Sequence, residues 1–471
     1  MRFRTRAAAA VAVTAILAAA GCSRAATSST SSGASTAPSV SAAAAGQGSA
    51  SGSDSSFGTL SNVCHGGSAS GSTDQGVTPS SIKVGVLTDV GFTKDPQLEN
   101  AAKVFTSWCN AQGGINGRKL VPDIHDTQML QVVGAMSSAC ASDFVLAGGS
   151  AALDGLAVST RLKCMLPDFD AQTVMPQNAG AALQIDPATY NFSYSDYGGY
   201  YKFLYGKYPG SQKAVGILAG QSAIDQPIVG MTMQSMQGVG GKVIYNGTFP
   251  VTGVSNWTPY AEALKTHGVK GMTFDGTPEE LAALEQSLDS IGYHLDWIDA
   301  NSNAYGTGFL QIAGQALTQQ HNYADLFGVY PVEKAAGSPA ASKIVALFKQ
   351  YAPGQPVTLQ VEQAFSMWLA FAVSAETCGA NLTRKCVYDA GAKQTAWTGG
   401  GITAPVNESN LQAAPSCYDI EQATSSGWQP AQGWTPNTDG VFGCNQPVVK
   451  LSNLGQPLQL AAVGKSLSDL K

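Results

Sequence analysis

Two kinds of stretch in this chain could do chemistry on a small molecule. Gly148-Gly149-Ser150-Ala151-Ala152 follows a short apolar run, Asp143 to Ala147, and precedes a helical pattern from Leu153 to Leu162. A small-residue loop between a strand end and a helix start offers backbone N–H groups. Together with the Ser150 hydroxyl, these could hold a carboxylate. A serine that only caps the helix is the plain alternative. Asp275-Gly276-Thr277 and Asp299-Ala300-Asn301 end two later apolar runs. Their carboxylate, hydroxyl and amide groups can exchange hydrogen bonds with a polar ligand. A reaction is not indicated. Ser150 lacks the Gly-x-Ser-x-Gly setting of an activated nucleophile. The glycine-rich turns lack the lysine of a phosphate loop. His65, His125, His267, His294 and His321 are scattered, and no Cys-x-x-Cys pair is present. The expectation is recognition without catalysis, metal or cofactor.

The elements that must position these groups are legible as patterns. Ile82 to Asp89 is a short apolar, β-branched run, as in a strand buried in a parallel sheet. Leu98, Ala101, Ala102, Phe105, Trp108 and Cys109 then recur at helical spacing. Gly113-Gly114 stops that helix, and Arg118 to Asp126 reads as a second strand. A parallel pair needs such a crossover. Gln212 to Leu218, Ile228 to Met236, the glycines at 238, 240 and 241, and Lys242 to Tyr245 repeat the order. Two similar halves predict two α/β lobes, each a parallel sheet flanked by helices, with a ligand cleft between them. Thr277-Pro278-Glu279-Glu280 reads as a capping box with proline at the first helical position. Tyr190 to Tyr208 is rich in tyrosine; Tyr197, Tyr201 and Tyr205 lie four apart on one predicted helix face, and one or two near the start of the stretch could line the cleft. The residues from Asn407 onward read as loop, placed loosely against the second lobe.

Arg2, Arg4 and Arg6 precede an apolar run from Ala7 to Ala20, the pattern of a signal peptide. The run ends in Ala18-Ala19-Ala20-Gly21-Cys22, which resembles a bacterial lipobox and makes Cys22 the expected lipidation site. Ser, Ala, Gly and Thr then dominate, the composition of a flexible tether. Loss of the signal would take three of the 26 Lys and Arg and none of the 32 Asp and Glu, leaving 23 basic residues and a net charge of −9. That balance argues against nucleic acid. Eight further cysteines in an exported chain point to disulfides. Cys378 with Cys386 and Cys417 with Cys444 are the best pairs by short separation. Cys140 and Cys164 could pair, which leaves Cys64 with Cys109.

Ile-Lys-Val-Gly-Val-Leu-Thr-Asp at 82–89 and Asn-Ala-Gln-Gly-Gly-Ile-Asn-Gly-Arg-Lys at 110–119 resemble the opening of the type I periplasmic solute-binding proteins. The nearest resemblance is to the branched-chain amino-acid binders of ABC importers. It implies a cleft in which Ser150 and Ala151, Asp170 and Ala171, Tyr197, Asp275, Thr277 and Asn301 meet the ligand. Asp170 can equally be read as a turn aspartate. Where the family sets a carboxylate for the ligand ammonium, this chain has the neutral Asn301, with Asp275, Asp299 or Asp154 as substitutes. The domain reading is signal 1–21, tether 22–76, first lobe 77–188 and 330–377, second lobe 189–329 and 378–455, and tail 456–471. The implied function is capture of a small polar metabolite, an amino acid or related compound. Capture would occur on the extracytoplasmic face of the cell membrane, with an ABC permease and a lipid anchor as partners. A surface sensor using the same cleft to signal to a receptor is the alternative.

Overall fold

Strand β1 (Ser81–Thr88) is the axis of the first lobe. Val84 and Val86 are fully buried on one face, with Leu87 and Leu146 in a separate cluster. That alternation follows from the two-residue period of a strand. The computed structural model describes residues 55–186, 190–222 and 224–471. The signal segment, Cys22 and the first part of the tether lie outside the described residues. Strands β2 (Lys119–Asp126), β3 (Val145–Ala147), β4 (Asp168–Phe169) and β5 (Gln184–Ile185) complete a parallel sheet in the order β2-β1-β3-β4-β5. Helices Gln97–Gln112 and Leu359–Cys378 cover one face, where Phe105 stacks on Trp368 with centroids 5.4 Å apart. Val132, Met136 and Ala139, all from helix Val132–Ser142, pack with Leu87 and Leu146.

The second lobe repeats this plan. Strands β6 (Val215–Gly220), β7 (Val243–Phe249), β8 (Gly271–Asp275), β9 (Trp297–Asp299) and β10 (Asn322–Asp325) are parallel, in the order β7-β6-β8-β9-β10. Counted within each lobe, both sheets have the order 2-1-3-4-5, one of the two common doubly wound arrangements. Val215, Ile217 and Ala219 of β6 face the tyrosine-rich helix Gly198–Lys207, while Leu218 joins the cluster under helices Thr258–His267 and Pro278–Ser290.

Three parts of the domain reading differ from the structure. The tether was expected to run to residue 76, but packing begins at Phe57, which is 0% exposed and meets Trp108 edge-on at 5.4 Å. Apolar Phe57 and Val63 supply what the Ser/Gly stretch lacks. Helix Arg384–Gly391, expected in the second lobe, packs on the first sheet. There the Arg384 guanidinium donates to Phe144 O at 2.7 Å and Asp143 O at 2.6 Å. Finally, the stretch from 407 is not all loop. Hairpin β11 (Ile420–Thr424) and β12 (Gly427–Pro430) extends the second sheet antiparallel beyond β10. The last residues instead return to the first lobe, where Leu460 and Leu470 pack on Val158 and Leu162.

Disulfides join Cys64–Cys109, Cys140–Cys164, Cys378–Cys386 and Cys417–Cys444. Among the described residues, no helix is long and apolar enough to cross a membrane.

Candidate ligand-binding cleft

On the first lobe, the candidate residues follow β3 and β4. Gly148 turns the chain with φ +64°, and a Cβ there would lie 2.4 Å from the Trp368 ring. Glycine is therefore required. The loop folds back so that Ser150 N–H donates to Leu87 O at 2.9 Å, and Ala152 N–H donates to the Asp89 carboxylate at 2.6 Å. Gly148 N–H donates to Phe169 O, and Ala171 N–H to Gly149 O. The expected carboxylate cradle is thus largely filled by the protein itself. Ser150 Oγ donates to Gln172 O at 2.7 Å, so in this state it faces a ligand as an acceptor.

Asp170 is 4% exposed and takes Asn178 Nδ2 at 2.8 Å, with Gln184 Nε2 at 3.4 Å. Burial, then the charges of Asp168, Asp154 and Asp186, raise its pKa well above the usual carboxylate range. Asp154 accepts from Gly155, Val174 and Met175 N–H and from Asn178 Nδ2. These carboxylates fold the 172–180 loop. The gap beside Ser150, Ala151 and Asp170 is only ≈ 10 Å³, about one water. Ala171 is fully buried.

The second lobe is arranged differently. Asp275 ends β8, is 9% exposed, and its Oδ2 has no hydrogen-bond partner among the described residues. Burial, then Asp225 and Asp299, push it up to about 7. Asp299 is saturated: Tyr200 and Tyr201 hydroxyls donate at 3.0 and 2.7 Å, Thr273 Oγ1 at 2.9 Å and Asn301 N–H at 3.1 Å. Of the three acids that could replace the family's carboxylate, Asp154 and Asp299 are satisfied and Asp275 is not. Asn301, 6% exposed, has φ 61° and ψ 160°. That region is otherwise almost reserved for glycine, and such strain gathers at ligand clamps. Its Oδ1 accepts from Asn303 N–H at 3.3 Å.

Tyr197 is 4% exposed and packs on Tyr201 and Phe327, at 5.7 and 5.5 Å between centroids. Sequence reasoning did not single out Tyr190. Burial first, then the charges of Asp275, Asp196 and Asp299, raise the pKa of its hydroxyl, and a hydrogen bond with Tyr197 opposes them. Its place in a run of seven tyrosines masked it. Thr277 stands apart: it is exposed, and its hydroxyl accepts from Glu280 N–H at 3.3 Å in the capping box. The structure therefore gathers Tyr197, Asp275 and Asn301 around Tyr190 and Asp299. It leaves Thr277 as a cap and turns Asp170 inward.

Asp123, His125 and Asp143 come together on the first lobe, His125 Nε2 lying 2.6 Å from Asp143 Oδ2. Lys83 Nζ sits in the same group, 2.6 Å from Asp123 Oδ2, and already supplies its cation. The cluster is an ion-pair network joining β1, β2 and Asp143 at the end of helix Val132–Ser142.

The sequence profile of a periplasmic binding protein family matches residues 81–427. No curated protein matches the chain in sequence. The fatty acid ABC transporter substrate-binding protein of Thermomonospora curvata superposes with a TM-score of 0.64 at 16% identity, over 83% of this chain and 97% of that one. A leucine-binding protein of Thermotoga maritima gives 0.59 at 14%, over 74% and 97%. An ABC transporter substrate-binding protein of Sphaerobacter thermophilus gives 0.58 at 14%, over 80% and 100%. At such identities the likeness speaks for the fold. With two sheets of the same order, strand ends that carry the polar groups, and a profile running from β1 into the β11–β12 hairpin, the chain belongs to the periplasmic binding proteins of type I fold.

Proposed function

We propose that the chain is the lipid-anchored, extracytoplasmic substrate-binding protein of an ABC importer, and that it captures a small polar ligand carrying an ammonium or amide N–H. Asp275 carries this reading. A buried carboxylate with an unpaired oxygen is costly unless a donor meets it. It stands at a strand end of the second lobe, close to Tyr190 and Asp299, which in turn meet Tyr197 and the strained Asn301. Neighbours are named for ligands as different as leucine and fatty acids. An alkyl chain would leave Asp275 unmet, which favours an amino acid or related compound. Tyr190 and Tyr197 supply apolar surface with a polar tip. Ser150 supplies an acceptor from the other lobe. Lobe closure about the crossings then buries the ligand, and the closed form is what a permease recognises. No bond is made or broken in this cycle.

The test is a thermal-shift screen of the purified chain against amino acids, amides, ureas, polyols, aromatic acids and fatty acids. A true ligand at 100 times its dissociation constant stabilises by about 2.7 kcal/mol. A hit among compounds with an N–H donor, lost in Asp275→Asn, is expected. A hit only among fatty acids, unchanged in that variant, overturns the reading.

A further inference from the structure

Where the chain crosses between its lobes it leaves a cavity of ≈ 280 Å³. The wall comes from three separate passages. Asn191 and Asp196 belong to the first, Phe327 to the second, and Val406 and Leu411 to the return. Asp196 is 4% exposed; its Oδ2 accepts the Asn191 N–H at 2.8 Å, and its Oδ1 has no hydrogen-bond partner among the described residues. Asp325 and Asp186 add negative charge nearby. Among the described residues, no lysine, arginine or histidine lines the cavity. Phe327 has φ 57°, a backbone state that bulky residues rarely adopt. Its ring packs 5.5 Å from both Tyr190 and Tyr197, so it separates this cavity from the cleft residues.

A chamber just under the usual size of small-molecule sites, lined by apolar side chains and by the polar groups of Asn191, Thr395, Asn407 and Asn410, with one buried carboxylate oxygen unmet and no cation to answer it among the described residues, is complementary to a small organic cation. A divalent metal fits poorly, because among the described residues Asp196 is the one carboxylate on the wall and hard cations want several charged oxygen ligands. We propose that this chamber is a second ligand site that takes one small alkylammonium ion. Asp196 Oδ1 is its counter-ion, and Phe327, Val406 and Leu411 enclose the alkyl group. The aromatic ring beside the charge adds cation–π attraction. This site does not depend on what the cleft binds.

Titration calorimetry with isobutylamine tests it, with isobutanol and isobutyrate as neutral and anionic probes of similar shape. Isobutylamine is expected to bind one per chain, with the same affinity in the wild type and in Asp275→Asn. Binding should weaken at least tenfold in Asp196→Asn, and the two other probes should bind at least tenfold more weakly than the amine. Ala414→Phe fills the chamber while leaving the carboxylate in place. It should abolish binding too, and it serves if Asp196→Asn does not fold by circular dichroism. Amine binding that survives in Ala414→Phe, that is lost in Asp275→Asn, or that is absent from the wild type overturns the proposal.

Discussion

The two halves of the cleft follow the same strand order but handle their polar groups in opposite ways. On the first lobe, Asp154 and Asp170 are answered by loop N–H groups and by Asn178, and Ser150 by Gln172 O. On the second, Asp275 keeps an oxygen unmet, and Asn301 is held in a glycine-like backbone state. A saturated network fixes a shape, whereas an unsatisfied group waits for a partner. Under the proposed function, the difference teaches that the first lobe would act as a preformed wall and the second would choose the ligand.

The largest expected effect is at Asp275. Asp275→Asn should weaken binding of an ammonium ligand by about 3 kcal/mol, on the order of 100-fold, read by calorimetry. Asp154→Asn should cost about 2 kcal/mol of folding stability with little change in affinity. Equal affinity losses from the two variants would erase the contrast between the lobes.

The next effect is on pH dependence. Asp154 and Asp275 are pushed up to about 7 and Glu285 to about 8, from ordinary values of 3.8 and 4.5. The unfolded chain therefore releases these protons first. The contribution of these groups to stability is fully present below about pH 4 and falls by about 1.4 kcal/mol per pH unit per group as pH rises to about 7. Above about 8 it levels off. Thermal melts between pH 5 and 8 should show this slope, shallower by one group in Asp275→Asn. Asp225, Asp299 and Tyr190 face Asp275, and none offers it a positive charge. Ammonium-ligand affinity should therefore drop about tenfold per pH unit below about 7. A melt that is flat across this range would mean the buried acids are ionised throughout.

Asn301→Gly should raise the melting temperature by relieving about 1 kcal/mol of strain, while loosening ligand binding. Stabilisation without a loss of affinity would remove Asn301 from the clamp. Thr277→Ala should cost about 1 kcal/mol of stability through its cap and leave affinity unchanged. Ser150→Ala should be the smallest, a few-fold in affinity, because the hydroxyl is an acceptor backed by a carbonyl. A loss as large as that of Asp275→Asn would make the first lobe the selective one.

Much of the scaffold could be read from local patterns. The β1 unit, its repeat at β6, and the Thr277 capping box each rest on neighbouring residues. Strands β4 and β5 are two residues each, too short to show a period, and β11 gains its place only by pairing with β10, and β12 by pairing with β11. The site was less legible. Asp154, Asp275 and Asp299 look alike in sequence, and what separates them is which distant donors arrive. Tyr200, Tyr201 and Thr273 satisfy Asp299 from two other elements, and no spacing rule records that.

The closing residues add one more passage between the lobes. Leu451 N–H bonds Ser193 O on the second lobe, Leu458 N–H bonds Gln177 O on the first, and Lys471 O takes the Lys385 N–H at 2.7 Å. In mechanical terms the joint is a four-bar linkage rather than a door on a single pin. Four separate strands tolerate a common twist only about an axis that passes close to all of them. In the closure proposed above, the tail would select the direction of swing and limit its arc, and cutting it free would widen the arc without touching a residue of either pocket.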